Sequence, residues 1–395
     1  MRDLKPSKDL KIVSIVGARP NFMKVAPFVK AIEDLNRQKK ILIDHKLIHT
    51  GQHYDPNLSD VFFQELGIPK PDFNLNIGSG SHAEQIAKTM MEFEKVCHKI
   101  SPDWVVVIGD VNATISCSIV AKKLGIKVCH IESGLRSYDM NMPEEINRIV
   151  TDSISDLLLT PDRLSSEILL KEGKEEKDVV MVGNIMIDSL ISKIEKAQDL
   201  ELMSIIDEYR YPQNRISKET LGKISKGEFG AMTLHRPSNV DRVEDLTNIV
   251  ETITNNISRE TPIVFTVHPR TLKQLEKFDL LDRLFQAEEI VLLMPVSYLA
   301  LLKLNSSAQI FLTDSGGIQE ECSYLGTPCL TLRVNTERPI TLNENGGSSI
   351  LVGKDRNMII EGFTNGLKRG RKPSNPEAWD GNTAKRSIAA IVNYK

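Results

Sequence analysis

"AQIFLTDSGGIQEE", residues 308–321, carries an apolar run straight into an aspartate, a serine, two glycines and a pair of glutamates. The apolar part reads as a strand buried on both faces of a parallel sheet. Glycines at its exit leave room for the backbone to approach a bulky polar group. A helix opening at Ser315, Gly316 and Gly317 would aim exposed amides and the positive end of its dipole at an anion. Glu320 or Glu321, one turn on, can accept hydrogen bonds from a ribose. The stretch therefore reads as half of a nucleotide-diphosphate cradle.

The same alternation runs through the chain. Strands are expected at 11–16, 42–49, 104–109, 127–131, 156–160 and 179–182, with helical patterns at 23–35, 82–98, 113–124, 144–155 and 164–172. The highly charged segment 193–226 has no strand pattern. A second series follows at 229–234, 262–267, 289–294, 309–312, 328–332 and 349–352. Apolar strands alternating with helices mean parallel sheets covered on both faces. Two such series predict an α/β protein of two doubly wound Rossmann-like domains facing a cleft, with ligands beyond the carboxyl ends of the strands. The expected division is 1–187 for the first domain and 188–382 for the second, with a C-terminal helix in 383–395 packing back on the first.

Composition narrows the function. The chain has 395 residues, a formal net charge of -3 and 26% charged residues, so nothing favours a nucleic-acid partner. The basic run 368–372 reads as a solvated helix end. The N-terminus, MRDLKPSKDL, lacks an apolar signal core, and no run reaches a membrane span, so a cytoplasmic protein is expected. Five cysteines with no CxxC pair argue against a disulfide framework or a zinc knuckle. His45, His49 and His53 are spaced by four, but a strand pattern covers the first two and Gly51 interrupts the rest, so no metal site is expected.

Unusual residues cluster just after the strands. Gly17-Ala18-Arg19-Pro20 follows the first; Arg19 can fork onto a phosphate, with Lys24 one turn into the next helix. Asp110 ends the third strand, where it also suits a helix cap. His130-Ile131-Glu132-Ser133-Gly134-Leu135-Arg136 ends the fourth. Pro143-Glu144 opens a helix, where acids also suit the dipole. Three carboxylates at successive exits of one domain would repel one another, raising some pKa values and allowing proton transfer near pH 7. In the second half, His235-Arg236 follows one strand and His268-Pro269-Arg270 the next. The pair His235-Arg236 fits a phosphate or a leaving-group oxygen. Thr336-Glu337-Arg338-Pro339 adds an Arg/Glu pair. The Walker pattern GxxxxGK[ST] is absent, and no well-placed GxGxxG follows the first strand.

Taken in order, GARP, GD-x-N-x-T, HIESGLR, PEEINR, LHRPSN, TDSGGIQEE and TERP resemble the motifs of the non-hydrolysing UDP-N-acetylglucosamine 2-epimerases over nearly the whole length. The resemblance implies a glycosyltransferase-B-like architecture, a homodimer, and a reaction without cofactor or metal. UDP leaves C1 as the C2 proton is removed, and 2-acetamidoglucal is reprotonated on its other face and takes UDP back. It implies a role in cell-surface polysaccharide synthesis. It places catalytic carboxylates at Asp110, Glu132 and Glu144, and His235 at the leaving oxygen. Arg19, Lys24, Arg136, Arg236, His268, Ser315, Gly316, Gly317, Glu320, Glu321 and Arg338 would bind the substrate. Hydrolysing relatives tend to carry GGE where this chain has Glu132-Ser133-Gly134. Epimerases of a 2,3-diacetamido uronic acid share several motifs and supply the alternative substrate. A glycosyltransferase would share the UDP site but give no reason for three carboxylates, and a UDP-sugar sensor no reason for Asp110 and Glu144. Bacterial members of the family are similar in binding a second, activating substrate molecule. Here Asp55 follows Gln52-His53, and 76–82 has no arginine, so weak or absent activation is expected.

Overall fold

The computed structural model describes residues 10–17, 19–38, 42–51 and 67–395. The chain divides into two compact units, Met1–Ser189 with Glu377–Lys395, and Leu190–Pro376.

Among the described residues the first unit is built on seven parallel strands: β1 (Leu10–Val16), β2 (Ile43–His49), β3 (Phe73–Asn74), β4 (Trp104–Ile108), β5 (Lys127–Ile131), β6 (Leu157–Thr160) and β7 (Val179–Met181), in the order β3-β2-β1-β4-β5-β6-β7. The short edge strand β3 has no counterpart in the sequence pattern, because two residues carry no readable periodicity. Trp104 to Ile108 are all buried, as a central strand covered on both faces requires. The order reverses between β1 and β4, so the carboxyl ends of these neighbours splay apart to form a ligand crevice. The helix Thr383–Asn393 belongs to this unit and packs on the helix Arg19–Arg37. Asp188 receives its first amides, Thr383 N at 3.1 Å and Ala384 N at 2.8 Å.

The second unit repeats the plan with six strands: β8 (Gly230–Leu234), β9 (Ile263–Val267), β10 (Ile290–Leu293), β11 (Ile310–Thr313), β12 (Cys329–Thr331) and β13 (Ser349–Leu351), in the order β10-β9-β8-β11-β12-β13. Alternate residues feed two separate cores. Ile310 and Leu312 join the one with Met232 and Leu234, while Phe311 joins the one with Phe229 and Ala231. The reversal here lies between β8 and β11. The charged segment without a strand pattern holds the helices Leu202–Tyr209 and Lys218–Ser225. Arg371, in the basic run read as a solvated helix end, instead donates to Asn305 O and Ala308 O, both at 2.6 Å, capping the helix Tyr298–Ser307.

No helix among the described residues is long and apolar enough to cross a membrane.

Candidate active site

In the first unit the crevice at the switch point gathers acids and bases from three exits. The helix Arg19–Arg37 begins directly after β1. Its first turn brings in Asn21, whose Nδ2 donates to Ile108 O at 2.7 Å and so ties the helix to the end of β4. Lys24, one turn further, is buried and pairs with Glu132 Oε2 at the end of β5. Gly109 makes room for that pair. A Cβ at this position would sit 3.1 Å from Lys24 Nζ and 3.3 Å from Glu132 Oε2, and its φ of +71° is left-handed. Glu132 itself has φ +71°, a conformation that costs a non-glycine residue about 1 kcal/mol or more. Its second oxygen, Oε1, is buried and accepts no hydrogen bond from the described residues.

Asp110 follows Gly109 and is partly exposed. Its Oδ2 pairs with Arg148 Nη1 at 2.5 Å, while its backbone oxygen accepts from Asn147 Nδ2 at 2.8 Å. Arg148 is buried in the helix Pro143–Ile154 and turns its Nη2 to Glu145 Oε2, also at 2.5 Å. Glu145 collects further donors: Ser137 N at 3.0 Å, Ser137 Oγ at 2.9 Å and Tyr138 N at 2.8 Å. Burial alone would raise its carboxyl, but the Ser137 amide and the Arg148 guanidinium hold it below the usual value. Glu144, beside it, is half-buried and pairs with no cation among the described residues. The two neighbouring glutamates thus have different parts. Glu145 is a buttress, and Glu144 is the open carboxyl.

In the second unit, β8 and β11 are neighbours at the switch point, so their exits meet. Asp314, after β11, is fully buried and accepts from the backbone amides of His235, at 3.0 and 3.1 Å, and of Arg236, at 2.8 Å. Asn239 Nδ2 adds a donor at 3.0 Å, and His235 Nδ1 lies 2.8 Å from Oδ1. Facing a carboxylate, Nδ1 donates, which leaves His235 Nε2 as the working end. The imidazole is about one-third exposed and stands beside His268, with ring centroids 5.6 Å apart.

Ser315 caps the helix Gly316–Leu325, and three arginines gather near its start. Glu337 is their hub: Arg338 Nη1 at 2.5 Å, Arg333 Nη2 at 2.7 Å and Arg236 Nη2 at 3.5 Å. Burial would raise the Glu337 carboxyl, but these three cations hold it well below the usual range. Arg338 Nε also meets Glu320 Oε1 at 2.7 Å. A Cβ on Gly316 would lie 2.6 Å from Arg338 Nη1, so only glycine lets this guanidinium lie against the helix start. Burial pushes the Glu321 carboxyl up to about 7, opposed by Tyr298 and Asn305 and assisted by the Glu320 charge.

The sequence matches the family model described as UDP-N-acetylglucosamine 2-epimerase over residues 33–392. The chain belongs to the UDP-N-acetylglucosamine 2-epimerase family. It is 42% identical over 386 residues to the UDP-N-acetylglucosamine 2-epimerase of Methanocaldococcus jannaschii, covering 98% of this chain and 99% of that one. It is 38% identical over 356 residues to the UDP-2,3-diacetamido-2,3-dideoxy-D-glucuronate 2-epimerase of Pseudomonas aeruginosa, covering 89% and 91%. The crystal structure of the M. jannaschii epimerase in complex with UDP-GlcNAc and UDP superposes with a TM-score of 0.85 at 41% identity, covering 98% of this chain and 100% of that one. Two doubly wound sheets are thus the family's architecture.

Against the family pattern, the structure brings Lys24, Asp110 and Glu132 to adjoining strand exits of the first unit, with Glu144 on the helix that carries Asp110's partner. The Arg19 side chain, like Gln52 and His53, lies outside the described residues. Arg136 is buried and committed, with Asp152 at 2.7 Å and Glu172 at 2.7 Å. In the second unit Arg236, Ser315, Gly316, Gly317, Glu320 and Arg338 belong to one helix start and its arginine cluster, while His235 stands on Asp314, which precedes that helix, and beside His268. The expected mutual repulsion of three carboxylates takes another form, because Asp110 and Glu132 each have a cation of their own. Glu321, outside that set, is the carboxyl raised to about 7. Of the histidine series, His53 lies outside the described residues, and half-buried His45 bonds Ser14 Oγ at 2.7 Å, with desolvation lowering it to about 4. Sequence reasoning assigned no part to Asp314, Arg148, Glu145 or Arg333, and named Glu337 only as half of an Arg/Glu pair. The available signal was an aspartate ending β11 and an arginine one turn after Glu144 and Glu145.

Proposed function

We propose that the protein interconverts UDP-N-acetylglucosamine and UDP-N-acetylmannosamine by inverting C2, with no cofactor. The C2–H bond breaks as UDP leaves C1, its proton passing to a carboxylate and its electron pair forming a C1=C2 double bond. The C1–O bond to UDP breaks, and the electrons leave with the diphosphate. A proton then returns to the opposite face of C2, and UDP adds back at C1. Asp110, Glu132 and Glu144 are the proton-handling groups; a positioned acid or base of this kind is worth about 10²–10⁴ in rate. His235 Nε2 serves the leaving oxygen. The arginines about Glu337 and the amides at Gly316 and Gly317 hold the diphosphate, and Glu321 accepts from the ribose.

The observation that carries this reading is Glu132: a strained, buried strand-end carboxylate with one oxygen on Lys24 and the other without a donor among the described residues. A buried acceptor left unmade costs about 1–3 kcal/mol, a cost retained where it serves chemistry. The relatives with this architecture that act on UDP-GlcNAc support the substrate. The 38% identity to the diacetamido-glucuronate epimerase supports a second reading, in which C3 and C6 carry further groups.

The test is incubation of the purified protein in deuterium oxide with each UDP-sugar in turn. C2 deuterium incorporation together with a mixture of two UDP-sugars from UDP-N-acetylglucosamine is the expected result. Activity confined to the diacetamido uronate would move the assignment to the second substrate. Free sugar and UDP without exchange would refute epimerisation.

A further inference from the structure

We propose that Asp152 is a positioning residue that aims both Asp110 and Glu132 while touching neither. It lies in the helix Pro143–Ile154 and is buried. Its Oδ1 accepts from His130 Nδ1 at 2.6 Å; its Oδ2 accepts from Gly134 N at 3.1 Å and from Arg136 Nη1 at 2.7 Å. These donors come from residues two before, two after and four after Glu132. One carboxylate therefore fastens the chain on both sides of the residue whose backbone is left-handed. A strained conformation persists only when its surroundings over-determine it, and Asp152 supplies part of that constraint, beside the Glu132 and Ser133 amides on Leu159 O.

The reach to Asp110 runs through His130. Its Nε2 contacts Gly109 O at 2.8 Å, and Gly109 immediately precedes Asp110. Both ring nitrogens thus face oxygen atoms, so the imidazole bridges Asp152 and the residue that precedes Asp110. Burial would raise the Asp152 carboxyl, but His130 and Arg136 hold it below the usual range. Arg136 ends the chain on Glu172, at 2.9 and 2.7 Å. Arg136 thus stands between two carboxylates, so its guanidinium is buried with compensating charge.

The inference rests on the proposed chemistry, so the wild-type protein is assayed first. Absence of C2 exchange there would refute the functional reading and not the positioning. Asp152→Asn and His130→Gln are then made in the full-length chain. The asparagine removes the carboxylate charge and puts its NH₂ group either at His130 Nδ1 or at Gly134 N and Arg136, and the glutamine cannot span Asp152 and Gly109 O as an imidazole does. For each variant kcat, KM and UDP affinity by calorimetry are measured. A misplacement of about 1 Å costs about 10²-fold in kcat, with KM and UDP affinity held within about threefold, because the diphosphate ligands lie elsewhere. That split in at least one variant supports the proposal, provided the other does not keep wild-type turnover. Wild-type kcat in either UDP-binding variant overturns it. Loss of UDP binding in both assigns the network to folding, which overturns it too.

Discussion

Asp314→Asn is the substitution whose outcome the structure constrains most tightly. The buried carboxylate takes four donors: two backbone amides, the Asn239 amide and His235 Nδ1, at 2.8 to 3.1 Å. An asparagine replaces one oxygen by an NH₂ group, which in either orientation faces donors. Hydrogen bonds to a charged group contribute about 1.5–3 kcal/mol each, so losing two costs the loop about 3–6 kcal/mol. If about 3 kcal/mol of this is expressed at the transition state, kcat falls by about 10²-fold. The variant also frees the His235 tautomer, so UDP affinity should weaken as well. The pH dependence has a definite sign. Burial alone would raise the Asp314 carboxyl, but His235 and the amide donors hold it below its ordinary 3.8. A depressed folded-state value gives stability that is present above the ordinary value and lost as pH falls through the lower one. The melting-temperature gap between wild type and variant should therefore be widest near neutrality and shrink in acid. Kinetics by proton NMR, UDP titration calorimetry and melting curves across pH check all three. Wild-type kcat and UDP affinity in a folded variant, or a gap independent of pH, would refute the reasoning.

Three further outcomes are expected. Asp110→Asn and Glu144→Gln should each lower C2 exchange by about 10²-fold or more while UDP affinity stays near wild type; calorimetry showing binding lost in step with activity would reassign both residues. Gly316→Ala places a methyl 2.6 Å from Arg338 Nη1 and 2.7 Å from Glu337 Oε1, so the guanidinium must move. UDP should then bind about tenfold more weakly, or about 1.4 kcal/mol, and an unchanged titration curve would remove Arg338 from the diphosphate site. Initial rates against UDP-N-acetylglucosamine should be hyperbolic, given Asp55 and the lack of arginine in 76–82; sigmoidal rates would show that an activating site is retained.

The sequence by itself determined the sheets. Strand β5 occupies 127–131 as its apolar run indicates, and the other expected strands lie within a residue or two of their apolar runs. Burial on both faces leaves a signal in every residue of a strand. The same signal placed Asp110, Glu132, His235 and Asp314 at strand ends, because a polar residue after an apolar run is visible locally. The partners were decided only by the tertiary structure. Lys24 and Glu132 are 108 residues apart in sequence, Asp110 and Arg148 38 apart, and His235 and Asp314 79 apart. Nothing local to a lysine or an arginine says which carboxylate it will meet. That follows from strand order, which makes β1 the neighbour of β4 and β8 the neighbour of β11. Arg136 shows the difference most plainly. Its sequence context is that of a ligand-binding arginine, yet the fold surrounds it with Asp152 and Glu172, because a buried guanidinium must be matched by charge wherever the packing places it.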